Sequence, residues 1–139
     1  LREGQPVLGA EGLMGQIVMV GQHNSRAVLI TDSAHALPVQ VNRSGLRAIA
    51  EGSGRFDQLV IRYLTATTDI RVGDLLVSSG LGGRFPHGYP VARITDVTIS
   101  PGDAFAQVNA APSSALDRGR FVLVVVRESA DSIQPGSQL

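Results

Sequence analysis

The chain has 139 residues, enough for one modest domain or two small ones burying about two-thirds of the surface exposed when unfolded. Apolar residues make up 43% and charged residues 17%, which argues against disorder, and the absence of cysteine excludes disulfides, thiolate nucleophiles and zinc–thiolate sites. Twelve arginines, with no lysine, balance twelve acids, so no net field exists to attract a nucleic acid, and the arginines form no basic stripe.

Short apolar runs recur about every ten residues between turn signals. They cover 15–20, 26–31, 37–42, 46–50 and 57–64 in the first half, and 73–79, 89–100, 104–111 and 120–127 in the second. Rich in valine and isoleucine and separated by Gly, Asn, Asp, Ser or Pro, they predict an all-β fold of about nine strands, a sandwich or a barrel. No stretch carries apolar residues at helical spacing over a dozen positions, which leaves at most a single helical turn near 113–118, with Ser113 or Ser114 as cap and Gly119 as stop.

The glycine- and serine-bearing segment 42–56 reads as a joint, placed near Ser44 to Gly54. Three strands before it are too few to hold a core, so another must complete the first sheet. The unbroken apolar run 121–126 implies burial on both faces and is the candidate. The expected organisation is therefore 1–46 with a returning strand 119–127 as the first subdomain, 47–112 as the second, and 128–139 as a polar, disordered tail. No run of about 18 apolar residues and no signal peptide occurs. Leu1 is no natural start, and the expectation is a piece trimmed from a longer chain whose anchor lies upstream.

A catalytic search yields little. His35, Asp69 or Asp74, and Ser78 or Ser79 follow the chain order of a chymotrypsin-like serine hydrolase, but order alone supplies neither a held base nor an oxyanion hole. The histidines 23, 35 and 87 sit in loops and never at two- to four-residue spacing, so neither a metal site nor a cofactor is expected.

The stretch "SSGLGGRFPHGYPVARI", 78–94, is the most distinctive. Gly80, Gly82 and Gly83 permit positive φ or close approach, while Pro86 and Pro90 stiffen the return, which predicts a built loop. Phe85 and Tyr89 then either cover the open end of a small barrel or project as anchors for a partner. "GLGG" has no Gly-Lys-Ser/Thr ending and no following helix, which argues against a phosphate loop; it is similar to the carboxylate-binding loop of PDZ-like peptide-binding modules over a few residues only.

In order, "GLMGQIVMVG" (12–21), "SRAVLITD" (25–32), "PVQVNRSG" (38–45), "GDLLVSSGLGGRFPHGYPVARI" (73–94) and "ALDRGRFVLVV" (115–125) resemble the rod-shape-determining MreC family over nearly all of residues 5–127. The resemblance implies the extracytoplasmic C-terminal region, all-β and built of two small β-barrel-like subdomains, of a bacterial protein anchored by an N-terminal helix at the periplasmic face of the inner membrane. It implies a non-enzymatic scaffold that self-associates as a dimer or filament. The partners it implies are the class B penicillin-binding protein of elongation, MreD and other rod-complex proteins. No catalytic residue carries over. The family's glycine-rich signature falls on Ser79 to Val91, which makes Gly80, Leu81, Gly82, Gly83, Phe85, Pro86, Tyr89 and Pro90 the candidate partner-binding or loop-shaping residues.

Overall fold

The computed structural model describes residues 3–65, 68–81, 85–102 and 104–114 and the backbone of Leu123–Val124. Among these residues ten strands form: β1 (Pro6–Gly9), β2 (Gly12–Val20), β3 (Ser25–Leu29), β4 (Ala36–Val41), β5 (Arg47–Gly52), β6 (Leu59–Arg62), β7 (Leu75–Ser78), β8 (Pro90–Thr98), β9 (Gln107–Pro112) and β10 (Leu123–Val124). Every pairing is antiparallel. The strands make a four-stranded sheet in the order β10-β1-β2-β3 and a closed barrel in the order β4-β5-β6-β9-β8-β7.

Alternation builds the barrel. Along β4, Leu37, Val39 and Val41 point inward, and they meet Leu59 and Ile61 of β6, Leu76 of β7, Ile94 of β8 and Val108 of β9. Ala48 and Ala50 of β5 and Ala110 of β9 supply the small inward residues that a narrow six-stranded interior needs beside those branched ones. Closure also removes free edges from this half of the molecule.

The sheet packs on the barrel through one continuous core that includes Val7, Leu13, Met14, Ile17 and Ile30. At the seam a Cβ on Gly12 would lie 2.5 Å from the Pro90 carbonyl oxygen, and Ser114 Oγ donates to Gly12 O at 2.9 Å. The connection from β3 to β4 is strapped to β5: Gly54 N–H donates to Thr31 O (2.8 Å) and Gly52 N–H to His35 O (2.9 Å). Gly52 is required there, because any side chain would collide with the Asp32 carbonyl.

The sheets divide the chain between Leu29 and Ala36, not at residue 46. β4 belongs to the barrel, paired with β5 on one side and β7 on the other. The Asn, Ser and Gly that read as a joint close the β4–β5 hairpin, with Val41 N–H donating to Leu46 O (2.8 Å) and Gly45 at φ 76°. β1 is the strand that composition missed, since Gly4, Pro6 and Gly9 mark it as a turn. β10 pairs with β1, Val7 opposite Val124 and Leu8 opposite Leu123. Ser113 and Ser114 form a bend; the rest of the expected helical turn and the tail 128–139 lie outside the described residues.

Candidate interaction surface

The glycine-rich loop is held by Ser78, which ends β7. Its Oγ donates to the Pro86 carbonyl and accepts from Tyr89 N–H (3.0 Å), while Ser78 O accepts from Gly88 N–H (2.8 Å). One buried hydroxyl therefore fixes both ends of the return. Gly80 has φ 78° and sits against His87, where a Cβ would be 3.2 Å from the His87 Cβ. Phe85 is buried and meets the His35 ring edge-on, centroids 6.0 Å apart at 81°. Tyr89 packs half-buried against the core, Pro86 and Pro90 are half-buried, and Leu81 reaches solvent. Gly82 and Gly83 lie outside the described residues.

The hydrolase order finds no shared site. His35 Nε2 bonds the Gln16 amide oxygen at 3.3 Å, Ser78 serves the loop, and the Asp74 carboxylate is gripped by Arg43 through Nε (3.0 Å) and Nη2 (2.9 Å). Arg43 also reaches Asp69 at 3.0 Å, so the cluster ties the end of β4 to the turn before β7. The Arg43 hydrogen bond holds the Asp74 carboxyl below the ordinary carboxylate range, with burial opposing it and the Arg71 amide assisting. Asp69 is lowered as well, first by its hydrogen bond from Arg43. Among the described residues no group of three or more His, Cys, Asp or Glu could hold a metal ion, and no helix is long and apolar enough to cross a membrane.

The barrel wall at β6 and β9 presents what the sequence reading missed. Pairing runs regularly from Leu59↔Ala110 to Ile61↔Val108, then slips by one residue before Thr65↔Phe105. Tyr63 lies inside the slip with φ 70°, the one non-glycine residue with positive φ among those described. This is a β-bulge whose extra residue occupies a conformation that ordinarily belongs to glycine. Strict alternation would send Tyr63 inward behind Leu59 and Ile61; the bulge leaves it 72% exposed and drives Leu64 into the core at 2%. Phe105, 60% exposed, stands beside it. The two rings flank a cleft of about 810 Å³ whose other lining residues include Arg62, Glu51, Gln107 and Asn109. Arg62 Nε and Glu51 Oε1 are paired at 3.0 Å, so the polar part of this surface is charge-balanced.

The family model for the rod shape-determining protein MreC, barrel core, matches residues 1–126. The cell shape-determining protein MreC of Escherichia coli (strain K12) is 50% identical over 123 residues, covering 88% of this chain and 34% of that protein. The chain spans about a third of the length of the curated relatives that it matches so. The crystal structure of MreC from Pseudomonas aeruginosa is 54% identical with a TM-score of 0.87, covering 91% of this chain and 81% of that one. A structure of the complex between penicillin-binding protein PBP2 and MreC from Helicobacter pylori matches in fold, at 19% identity and a TM-score of 0.63 over 83% of this chain and 71% of that one.

Proposed function

Because the chain belongs to the rod shape-determining MreC family, we propose that it is a non-enzymatic scaffold module of the bacterial cell-elongation complex. It works at the periplasmic face of the inner membrane, binding the class B penicillin-binding protein of elongation. It also self-associates, and in the full-length protein it meets MreD and other rod-complex partners. The PBP2–MreC complex from Helicobacter pylori supports the choice of enzyme partner.

The observation that carries this reading is the barrel wall at Tyr63 and Phe105. A tyrosine held in strained backbone and turned out of the core costs stability, which a fold bears where the exposed ring serves binding. Exposed Tyr and Phe beside an arginine match the composition of interface hot spots. An anchored scaffold gains further, because tethering to the membrane raises the effective concentration of each partner and lets modest contacts assemble a complex. Within this reading Gly80, Phe85, Pro86, Tyr89 and Pro90 shape their loop and the seam beneath it, and Leu81 is the loop residue offered to a partner.

Sedimentation of the chain over a wide concentration range, alone and with the soluble domain of the elongation penicillin-binding protein, tests the reading. A mixed boundary lost in the Tyr63→Ala, Phe105→Ala double variant supports it. A monomeric chain that never joins the enzyme contradicts it.

A further inference from the structure

We propose that the free edge of β3 is a docking site for one extended segment of another polypeptide, bound as an added strand and carrying an acidic side chain. This rests on the reading of the chain as a binding module and assigns it a second, separate surface.

Among the described residues β3 ends its sheet, with β2 as its partner. Ile30 N–H donates to Met14 O (2.9 Å), and alternation along an antiparallel strand then turns the Val28 backbone groups toward β2 and those of Ala27 and Leu29 outward. The Leu29 carbonyl closes a turn with Asp32 N–H (3.0 Å). The Leu29 N–H and both Ala27 groups remain along the edge, in a strand whose first three residues are exposed.

A cleft of about 860 Å³ runs beside this edge, lined by Arg26 and Val28 of β3, by Val18 of β2 and, from the barrel side, by Asp32, His35 and Phe56. Val18 and Phe56 are 43% and 59% exposed, apolar ground for alternate side chains of an incoming strand. Arg26 has no ion pair among the described residues, and Asp32 Oδ1 already accepts from Ala34 N–H at 2.8 Å. A carboxylate on the incoming segment meets Arg26. Outward amides at strand spacing are matched by another backbone, not by a sugar or a lipid. A second copy's β3, Ser25–Leu29, carries another Arg26 and no carboxylate, so it does not supply the acidic partner.

The test is an NMR titration of the isotope-labelled chain with a short peptide of alternating valine and threonine bearing one central glutamate. Saturable shifts and slowed exchange at the Ala27 and Leu29 amides are expected, with affinity falling about tenfold in Arg26→Glu, a surface change that spares the fold. Ala27→Pro, which removes an edge donor, abolishes binding. Equal binding by an N-methylated peptide, or shifts confined to the Tyr63–Phe105 wall, would overturn the assignment. So would protection at Ala27 that grows with protein concentration in the free chain, which would name a second copy as occupant. The sedimentation run with the penicillin-binding protein separates the two readings: failed peptide binding with that complex intact overturns the edge site alone.

Discussion

Tyr63 and Leu64 exchange the places that strand alternation assigns them: the tyrosine is 72% exposed and the leucine beside it 2%. The one-residue slip between β6 and β9 does this, and a left-handed backbone at Tyr63 is its cost. Tyr63→Gly removes a strain of about 1–2 kcal/mol and adds an unfolded-state entropy cost of about 0.5–1 kcal/mol. The variant therefore keeps its stability or gains up to about 1.5 kcal/mol, whereas Tyr63→Val, branched at Cβ, loses stability. Chemical denaturation of the three proteins checks the order.

The seam at Gly12 gives a second comparison. Gly12 has φ 149° and the Pro90 carbonyl 2.5 Å from where a Cβ would stand, whereas Gly45 has φ 76° with open space around it. Gly45→Ala costs about 1 kcal/mol of backbone strain. Gly12→Ala costs more, on the order of 2–3 kcal/mol, because the sheet must also move off the barrel. Equal losses in thermal unfolding would contradict a close-packed seam.

The glycine-rich loop separates its residues by burial. Phe85→Ala empties a site sealed by the His35 ring and costs about 3–5 kcal/mol. Leu81→Ala, at a side chain 45% exposed, stays within about 0.5 kcal/mol of the parent. Urea unfolding midpoints distinguish the two.

The Arg43–Asp74 pair sets an acid limb. The folded carboxyl of Asp74 lies below the ordinary unfolded value of about 3.9, so its contribution is complete above that value and is lost as pH falls through the folded one. Asp74→Asn lowers stability near neutrality by about 1–2 kcal/mol and flattens this part of the acid dependence. Asp69, 64% exposed, shares Arg43 but contributes little, since water screens it. Unfolding free energies measured from neutral to acidic pH would show the two slopes converge at the acid end.

Much of the fold was legible because alternation is a local property. Leu37, Val39 and Val41 of β4 and Leu59 and Ile61 of β6 announce inward faces without reference to anything distant. What was not legible depends on partners far along the chain. The Ser44–Gly45 segment closes a hairpin rather than a joint because β4 finds β7, some 35 residues later. Phe85 turns inward because the His35 ring and the core receive it there, a choice that its glycine-rich neighbours do not reveal. From sequence Tyr63 is one more residue of the run 57–64, since a bulge is decided by the register against β9. The glycine loop stood out in composition, while the exposed pair Tyr63 and Phe105, 42 residues apart, left no shared motif.

The most direct measurement of the scaffold reading is the affinity of the Tyr63→Gly chain for the soluble domain of the elongation penicillin-binding protein, set beside that of the unaltered chain. The account predicts a variant at least as stable as the parent that binds at least about tenfold more weakly, because a hot-spot ring has been removed from a sound fold. Equal affinity in a variant of unimpaired stability would contradict it, and would leave the strained, exposed tyrosine without a role in binding that enzyme.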